Sequence, residues 1–456
     1  MSEVRENKMG TAPVPGLILS MSLPAMLSML IQSLYNVVDS IFVARLGENA
    51  LTAVSLVYPV QMLLVAAGVG TGVGMNSLIS RRLGEKRREE ANQAAEHGLV
   101  LGAALWVLFA LMGLFFTKPF FASFTDDAEI VSMACDYGYI VLLFSFGGLI
   151  QMIMEKTLQA TGNMIFSMVV QIVGAVANII LDPIMIFGLL GCPALGVAGA
   201  AIATVIGQIL AMVLGLVFLF CFKHGIQVDM RRFRFRWRTV RDIYAVGFPA
   251  IIMQSIGSVL TVALNGILIG YSSAAVAVLG IYFKLQSFVF MPVFGLNQGV
   301  MPIMGYNYGA RNYRRLCSTY KLALLFAFIL LGAGALLFGI FPRQLMMIFD
   351  SSEAMLEVGI PALRIISYSF WGASFGIMTS TLFQAVGQGV YSMLVSILRQ
   401  LAVILPAAWL LGRFWGLDAI WYAFPIAELA GVGLTAALLI RVYRRKLQPM
   451  RAEEQP

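Results

Sequence analysis

Hydrophobic residues run along this chain in long blocks rather than in short alternating bursts. One of them, LVLGAALWVLFALMGLFF from Leu99 to Phe116, carries no charge at all. About 20 apolar residues in a helix cross the roughly 30 Å of a bilayer's hydrocarbon core. No water is available there, so every backbone N–H and C=O must be bonded within the protein, and only helices and closed barrels qualify. The blocks lack the period-2 alternation of barrel strands, so they predict helices. Twelve spans follow, at about 17–43, 51–78, 92–116, 130–157, 165–189, 196–222, 242–269, 275–303, 318–341, 357–384, 391–411 and 418–441. The breaks carry turn chemistry: LGENA, TKPF, ATGNM, GCPALG, GYSS, FPRQ, VGQGV and FWGLD. Several spans exceed 25 residues, which predicts tilt or extension beyond the bilayer.

The pattern also repeats. Leu23-Pro24-Ala25 returns as Phe248-Pro249-Ala250, Gln61 as Gln286, and Gly84 as Gly309. The run from Leu158 to Gly162 returns as Phe383 to Gly387. Each offset is 225 residues, at the same place in the helix order. The expected fold class is an all-α membrane protein, with twelve transmembrane helices in two pseudo-symmetric six-helix lobes. The lobes are residues 1–225 and 241–456, joined by a basic linker at 226–240. Six helices per half make the repeats parallel, the arrangement that encloses a central cavity opening alternately to either side.

Composition sharpens this. The chain is 59% hydrophobic and 12% charged, against about a quarter charged for soluble domains. The net charge of +8 raises the question of nucleic acid, but the charges lie where a membrane protein places them. With the N-terminus inside, the inner segments hold 23 of the 31 Lys and Arg, and the outer loops hold Arg45, Lys118, Arg343 and Arg413. The positive-inside rule then predicts a multi-pass protein of the plasma (bacterial inner) membrane with both termini cytoplasmic. The segment RRFRFRWR is expected to be an amphipathic linker lying on anionic lipid, with no nucleic-acid partner. The polar opening, MSEVRENKMGTAPVPG, lacks the pattern of a cleaved signal. Cys135, Cys192, Cys221 and Cys317 form no CxxC pair and suit apolar packing.

An ionisable residue inside a span costs several kcal/mol unless paired or hydrated, so it is a functional candidate. Asp39 of the first helix, Asp182 of the fifth and Thr204 of the sixth share one depth. Asn36 stands three residues before Asp39 and Asn178 four before Asp182, spacings that share a helix face. Pro183 leaves the Ile179 carbonyl without its usual helical donor. Together these oxygens form a candidate site for H⁺ or Na⁺, with Na⁺ at Asp39 and Asp182. A plainer reading also fits: Asp39 answers Arg45, Asp182-Pro183 marks a helix end, and Asn178 is a packing hydrogen bonder. The second half does not repeat the acids, since Asp39 maps to Leu264 and Asp182 to Ala407.

Gln61, Met62, Gln286, Lys284 and Arg399 are candidates for a substrate cavity, though Lys284 and Arg364 also suit snorkelling. Glu428 is expected to balance Arg399, and Glu155-Lys156 to form a local ion pair. His97 and His224 flank helix ends and suit no catalytic role. The glycines from Gly68 to Asn76 and the Gly/Pro residues from Met291 to Pro302 predict flexible or broken helices lining the moving walls, with close packing as the alternative. No HExxH motif and no phosphate-binding loop occurs, so the chain is expected to be no enzyme, to use no cofactor and to draw its energy from an ion gradient.

The order LPAML, VVDSIFVARLGENAL, RRLGEKRREEA, LQATGN, ANIILDPIMIFG and GVAGAAIATVIGQ resembles the multidrug and toxic compound extrusion family along nearly the whole chain. It is most similar to the bacterial drug-exporter and DNA-damage-inducible branches. The resemblance implies a two-lobed, V-shaped fold and antiport of organic cations or other amphiphiles against H⁺ or Na⁺. It also implies a cation site at Asp39, Asn178, Asp182 and Thr204. Some members carry acids in the seventh and tenth helices; here the stretches PAIIMQSIGSVLTVALNG and SFWGASFGIMTSTLFQ of those helices have none, which argues against a second ion site. A monomer in contact with membrane lipid is expected. The alternative within the wider superfamily is a lipid-linked oligosaccharide flippase, for which only Lys284, Arg364 and Arg399 could supply a cationic cavity.

Overall fold

The structure is a computed structural model that describes residues 7–222, 225–349 and 351–454. His224 lies outside the described residues. Among those residues there are helices and no strands. The spans are α1 (Val14–Ala44), α2 (Glu48–Gly84), α3 (Arg88–Ala122), α4, α5 (Met164–Phe187) and α6 (Gly196–Cys221), then α7 (Trp237–Leu268), α8 (Ser273–Gly309), α9 (Tyr313–Ile340), α10, α11 (Gly389–Trp415) and α12 (Ala423–Val442). The α4 span is a pair, Ala128–Leu143 and Phe146–Ala160, bent by 46°. The α10 span is likewise a pair, Glu353–Ser367 and Ser369–Ala385. All twelve regions predicted as spans are helical, which makes this a multi-pass membrane protein.

Packing divides the chain into two compact units, Leu27–Ile251 and a split unit of Met1–Met26 with Ile252–Pro456. The boundaries therefore fall inside α1 and α7 rather than at the linker, and Met26 and Ile251 are themselves 225 residues apart. Glycines explain both. In the continuous unit, a Cβ on Gly74 would lie 2.1 Å from the Ile243 carbonyl oxygen, and one on Gly70 2.8 Å from the Ile251 nitrogen. In the split unit, Cβ atoms on Gly295 and Gly299 would lie 2.7 and 2.8 Å from the Cα atoms of Met26 and Ser22. Only glycine permits such backbone contact. Gly70 and Gly74 map onto Gly295 and Gly299 at the repeat offset.

This corrects one expectation. The segments 68–76 and 291–302 are not broken: α2 and α8 run through them as continuous helices, with Pro292 and Pro302 inside α8. Their glycines are packing points. Likewise Pro183 lies within α5, which continues to Phe187, so it does not end that helix.

The linker has little regular structure of its own. It forms one 3-10 turn, Met230–Arg232, before α7 begins at Trp237. Its alternation of Arg with Phe or Trp has the period of an extended chain, not of a helix. Phe233 and Phe235 accordingly sit against the His97 ring, with centroids 4.9 and 5.8 Å away. The linker's backbone N–H groups at Gln227, Asp229 and Arg236 donate to Asn92 Oδ1, Glu96 Oε1 and His97 Nε2. His97 is thus an anchor for the linker at the start of α3.

Candidate cation site

Along α6, Gly199, Ala203, Gly207, Ala211 and Gly215 recur every four residues and form a smooth stripe. Small residues at this spacing let membrane helices approach closely. At the tightest point a Cβ on Gly207 would lie 2.7 Å from the Gly174 carbonyl oxygen of α5 and 3.3 Å from Asn178 Cβ. The short Asn178 side chain can therefore span the gap. With its amide oriented to satisfy both ends, Nδ2 donates to Asp182 Oδ2 at 2.9 Å. Its Oδ1 accepts from the Thr204 hydroxyl at 3.2 Å and from the Thr204 N–H at 3.1 Å. Asn178, Asp182 and Thr204 are all buried, Asp182 completely.

Asp39 on α1 completes the cluster. Its carboxylate lies within hydrogen-bonding reach of Asp182, and its Oδ1 is buried with no partner. Two touching carboxylates repel unless a proton or a cation lies between them. The orphaned Asp39 oxygen and the Asp182 carboxylate present oxygen ligands alone, while the Asn178 amide, braced by Thr204, holds Asp182 in place. Hard monovalent cations and protons suit such a set; no soft ligand is present. Among the described residues, no group of three or more His, Cys, Asp and Glu side chains is placed to hold a metal ion.

Two residues were missed. Tyr35, one turn before Asp39, hydrogen-bonds Thr204; its i,i+4 spacing to Asp39 was available as a signal. Tyr137 on α4 is buried and receives a hydrogen bond from Gln61 Nε2 at 3.2 Å; nothing local in the sequence marks it. Gln61 thus sits at the edge of this site, with Met62 half-buried beside it.

Other candidates are elsewhere. Asn36 is exposed, and only its backbone carbonyl is engaged, by Ser40 Oγ at 2.8 Å. A step of three residues turns a helix by 300°, which leaves Asn36 about 60° off the Asp39 direction. Lys284 is exposed, its Nζ 5.8 Å from the Phe349 ring centroid, and Gln286 is half-buried. Arg399 Nη1 meets both Glu428 oxygens, at 3.2 and 3.3 Å. Glu155 and Lys156, expected to pair with one another, each have a further partner about one turn away: Glu155 accepts from Gln151 at 2.9 Å, and Lys156 Nζ donates to Gln159 Oε1 at 3.0 Å.

The family model for MatE matches residues 24–184 and again 249–410, so the two matches begin 225 residues apart. The chain belongs to the MatE family. The resemblance in its motifs and the twelve-helix, two-repeat fold are thereby established together. It is 27% identical over 433 residues to the multidrug export protein MepA of Staphylococcus saprophyticus, covering 95% of this chain and 94% of that one. To MepA of Staphylococcus aureus strain N315 it is 26% identical over 437 residues, with 96% and 95% covered. Among solved structures, an outward-facing multidrug resistance MATE family transporter of the MOP superfamily aligns with a TM-score of 0.90 at 27% identity, covering 98% of this chain and 99% of that one. A MOP superfamily transporter from Pyrococcus furiosus, whose binding pocket has a reverse polarity suggesting a different function, aligns at 0.89 with the same identity and coverage.

Proposed function

We propose that this MatE family protein is a secondary active exporter, an antiporter that expels drugs or other organic cations in exchange for H⁺ or Na⁺. The multidrug export proteins it matches from end to end support the substrate class. The observation that carries the coupling is the contact between Asp39 and Asp182 with one carboxylate oxygen left unpartnered inside the Leu27–Ile251 unit. A charged group buried there is costly without a counter-ion, so loading the site with a proton or Na⁺ changes the energy of the helices around it. Asn178, Tyr35 and Thr204 tie α1, α5 and α6 to the same point. Loading and release of the ion alternate with exposure of the substrate to the two sides of the membrane. The charge distribution supports cytoplasmic termini in a plasma membrane, and one chain contains the complete candidate site, which supports a working monomer.

The test is efflux of a cationic dye from vesicles holding the purified protein, with the pH and Na⁺ gradients imposed separately. One gradient is expected to drive efflux. Asp39→Asn is expected to abolish that response while the protein stays monodisperse and binds dye. Normal gradient-driven export by Asp39→Asn would remove the site from the mechanism.

A further inference from the structure

At the basic end of α9 the split unit carries a cavity of about 870 Å³. One wall is a stripe of α9: Arg314, Ser318, Lys321 and Leu325 all line it and, at steps of three or four residues, share one helix face. The chain's last helix, Gln448–Glu454, brings Arg451 and Glu454 to the same cavity. Arg314, Lys321 and Arg451 are all exposed to it. Glu454 is the one acid in the lining, and its carboxylate is engaged by the Arg314 N–H at 3.1 Å. Three basic side chains against one acid leave the mouth net positive.

Farther along α9 the lining changes character. Leu322 and Leu325 replace the charges, and Leu325 is 51% exposed on a helix long and apolar enough to lie in a bilayer. A second cavity of about 310 Å³ adjoins the first, sharing Tyr313, Cys317 and Lys321. It runs on between Leu316, Leu382, Leu439 and Leu447, and its walls are almost wholly apolar. A cationic mouth at a helix end thus opens onto an apolar groove between the ends of neighbouring helices.

That pairing selects a ligand. A free phosphate has no use for the groove, and a zwitterionic or neutral lipid carries no net charge to answer three cations. Basic pockets at the ends of transmembrane helices suit anionic headgroups. We propose that this is a binding site for an anionic glycerophospholipid. Its phosphodiester is held by Arg314, Lys321 and Arg451, and one acyl chain lies in the adjoining groove. Because Arg451 belongs to the terminal helix and Arg314 to α9, a bound lipid ties that helix to the body of the split unit. The site shares no residue with the Asp39–Asp182 cluster, so its test is independent of the antiport proposal.

Native mass spectrometry of the full chain in detergent, titrated with phosphatidylglycerol, phosphatidylcholine of the same acyl chains, or inorganic phosphate, reads the site directly. Phosphatidylglycerol is expected to be retained in preference to the other two. The double variant Lys321→Gln/Arg451→Gln is expected to bind it about 30-fold more weakly, at roughly a fivefold loss per basic residue near a membrane surface. Arg343→Gln/Arg413→Gln, at the opposite helix ends, is expected to bind like the unaltered chain. Equal retention of phosphatidylcholine, equal competition by inorganic phosphate, or undiminished binding by the Lys321/Arg451 variant would each overturn the proposal. If that variant is not monodisperse, Leu439→Trp, which fills the groove and leaves every charge in place, is titrated instead. Loss of phosphatidylglycerol retention then supports the site, and unchanged retention removes it.

Discussion

The fifth and sixth helices of the chain and the eleventh and twelfth are copies of one another at an offset of 225, yet they meet by opposite means. Where α5 has Gly174 and α6 has Ala203, α11 has Arg399 and α12 has Glu428. Asn178 maps to Val403, Asp182 to Ala407, Thr204 to Leu429 and Gly207 to Val432. In the Leu27–Ile251 unit, small residues bring two backbones together and short polar side chains cross the seam. In the split unit, a long ion pair bridges the gap instead. Glycines make room for it: a Cβ on Gly372 would lie 2.5 Å from Glu428 Cγ, and one on Gly431 3.3 Å from Arg399 Cδ. The helix adapts as well. Leu398–Val403 is a π-turn in which the Ile404 N–H donates to the Arg399 carbonyl, whereas α5 is uninterrupted. Such a turn inserts one extra residue and redirects the side chains around it. Duplication kept the helices and their order, and each copy then solved the contact with its own chemistry. One solution leaves an open oxygen site; the other neutralises its own charges.

The contrast can be broken experimentally. The largest effect is expected from Glu428→Ala, which strands Arg399 in a largely buried position. Removing one partner of a buried pair costs about 3–5 kcal/mol, whereas replacing both with apolar residues is often neutral. Thermal unfolding of detergent-purified protein should show a large drop for Glu428→Ala and near-complete recovery for Arg399→Leu/Glu428→Leu. Equal melting of Glu428→Ala and the parent would mean the pair holds nothing. Next, Gly207→Val pushes α6 from α5 and should cost about 1–3 kcal/mol from overpacking, together with gradient-driven efflux. Its counterpart Val432→Gly should cost about 1 kcal/mol of helix propensity and spare efflux. If the two efflux results were reversed, the assignment of coupling to α5 and α6 would fail. The smallest effect is expected from Thr204→Val, at about 0.6 kcal/mol for one interhelical hydrogen bond. Leu429→Thr, at a position 74% exposed, should change stability by less than about 0.5 kcal/mol. Measuring this last pair in one denaturant series sharpens the distinction between a seam and a surface.

Much of this was legible in the order of residues. The twelve spans follow from the cost of exposed backbone in lipid, and the repeat follows from identical punctuation at one offset. Asp39 and Asp182 stood out because an acid inside an apolar span is rare for a physical reason. Most of what failed depended on partners distant in sequence, and Asn36 failed on the local geometry of its own helix. Gly70 and Gly74 look like breaks until Gly247 and Ile251 are seen pressed against them. Tyr137 arrives from α4 with no local mark. Asn36 shares the broad face of Asp39 but not its direction. The Arg399–Glu428 pair was legible as two opposite charges with no other buried partner, and the π-turn that aims Arg399 was not, because it breaks no pattern of hydrophobicity.

The exchange of helix starts has a consequence for biosynthesis. The Leu27–Ile251 unit is continuous, so it has all its parts as soon as the first half of α7 has been made. The split unit does not. Met9 is held through its carbonyl by Asn307, 298 residues away, and Ser22 packs on Gly299. At translation rates of about 5–20 residues per second, the beginning of α1 waits roughly 15–60 seconds for its partner to emerge. During that interval half of one membrane helix has no permanent neighbour, and lipid or a chaperone must keep the place of α8.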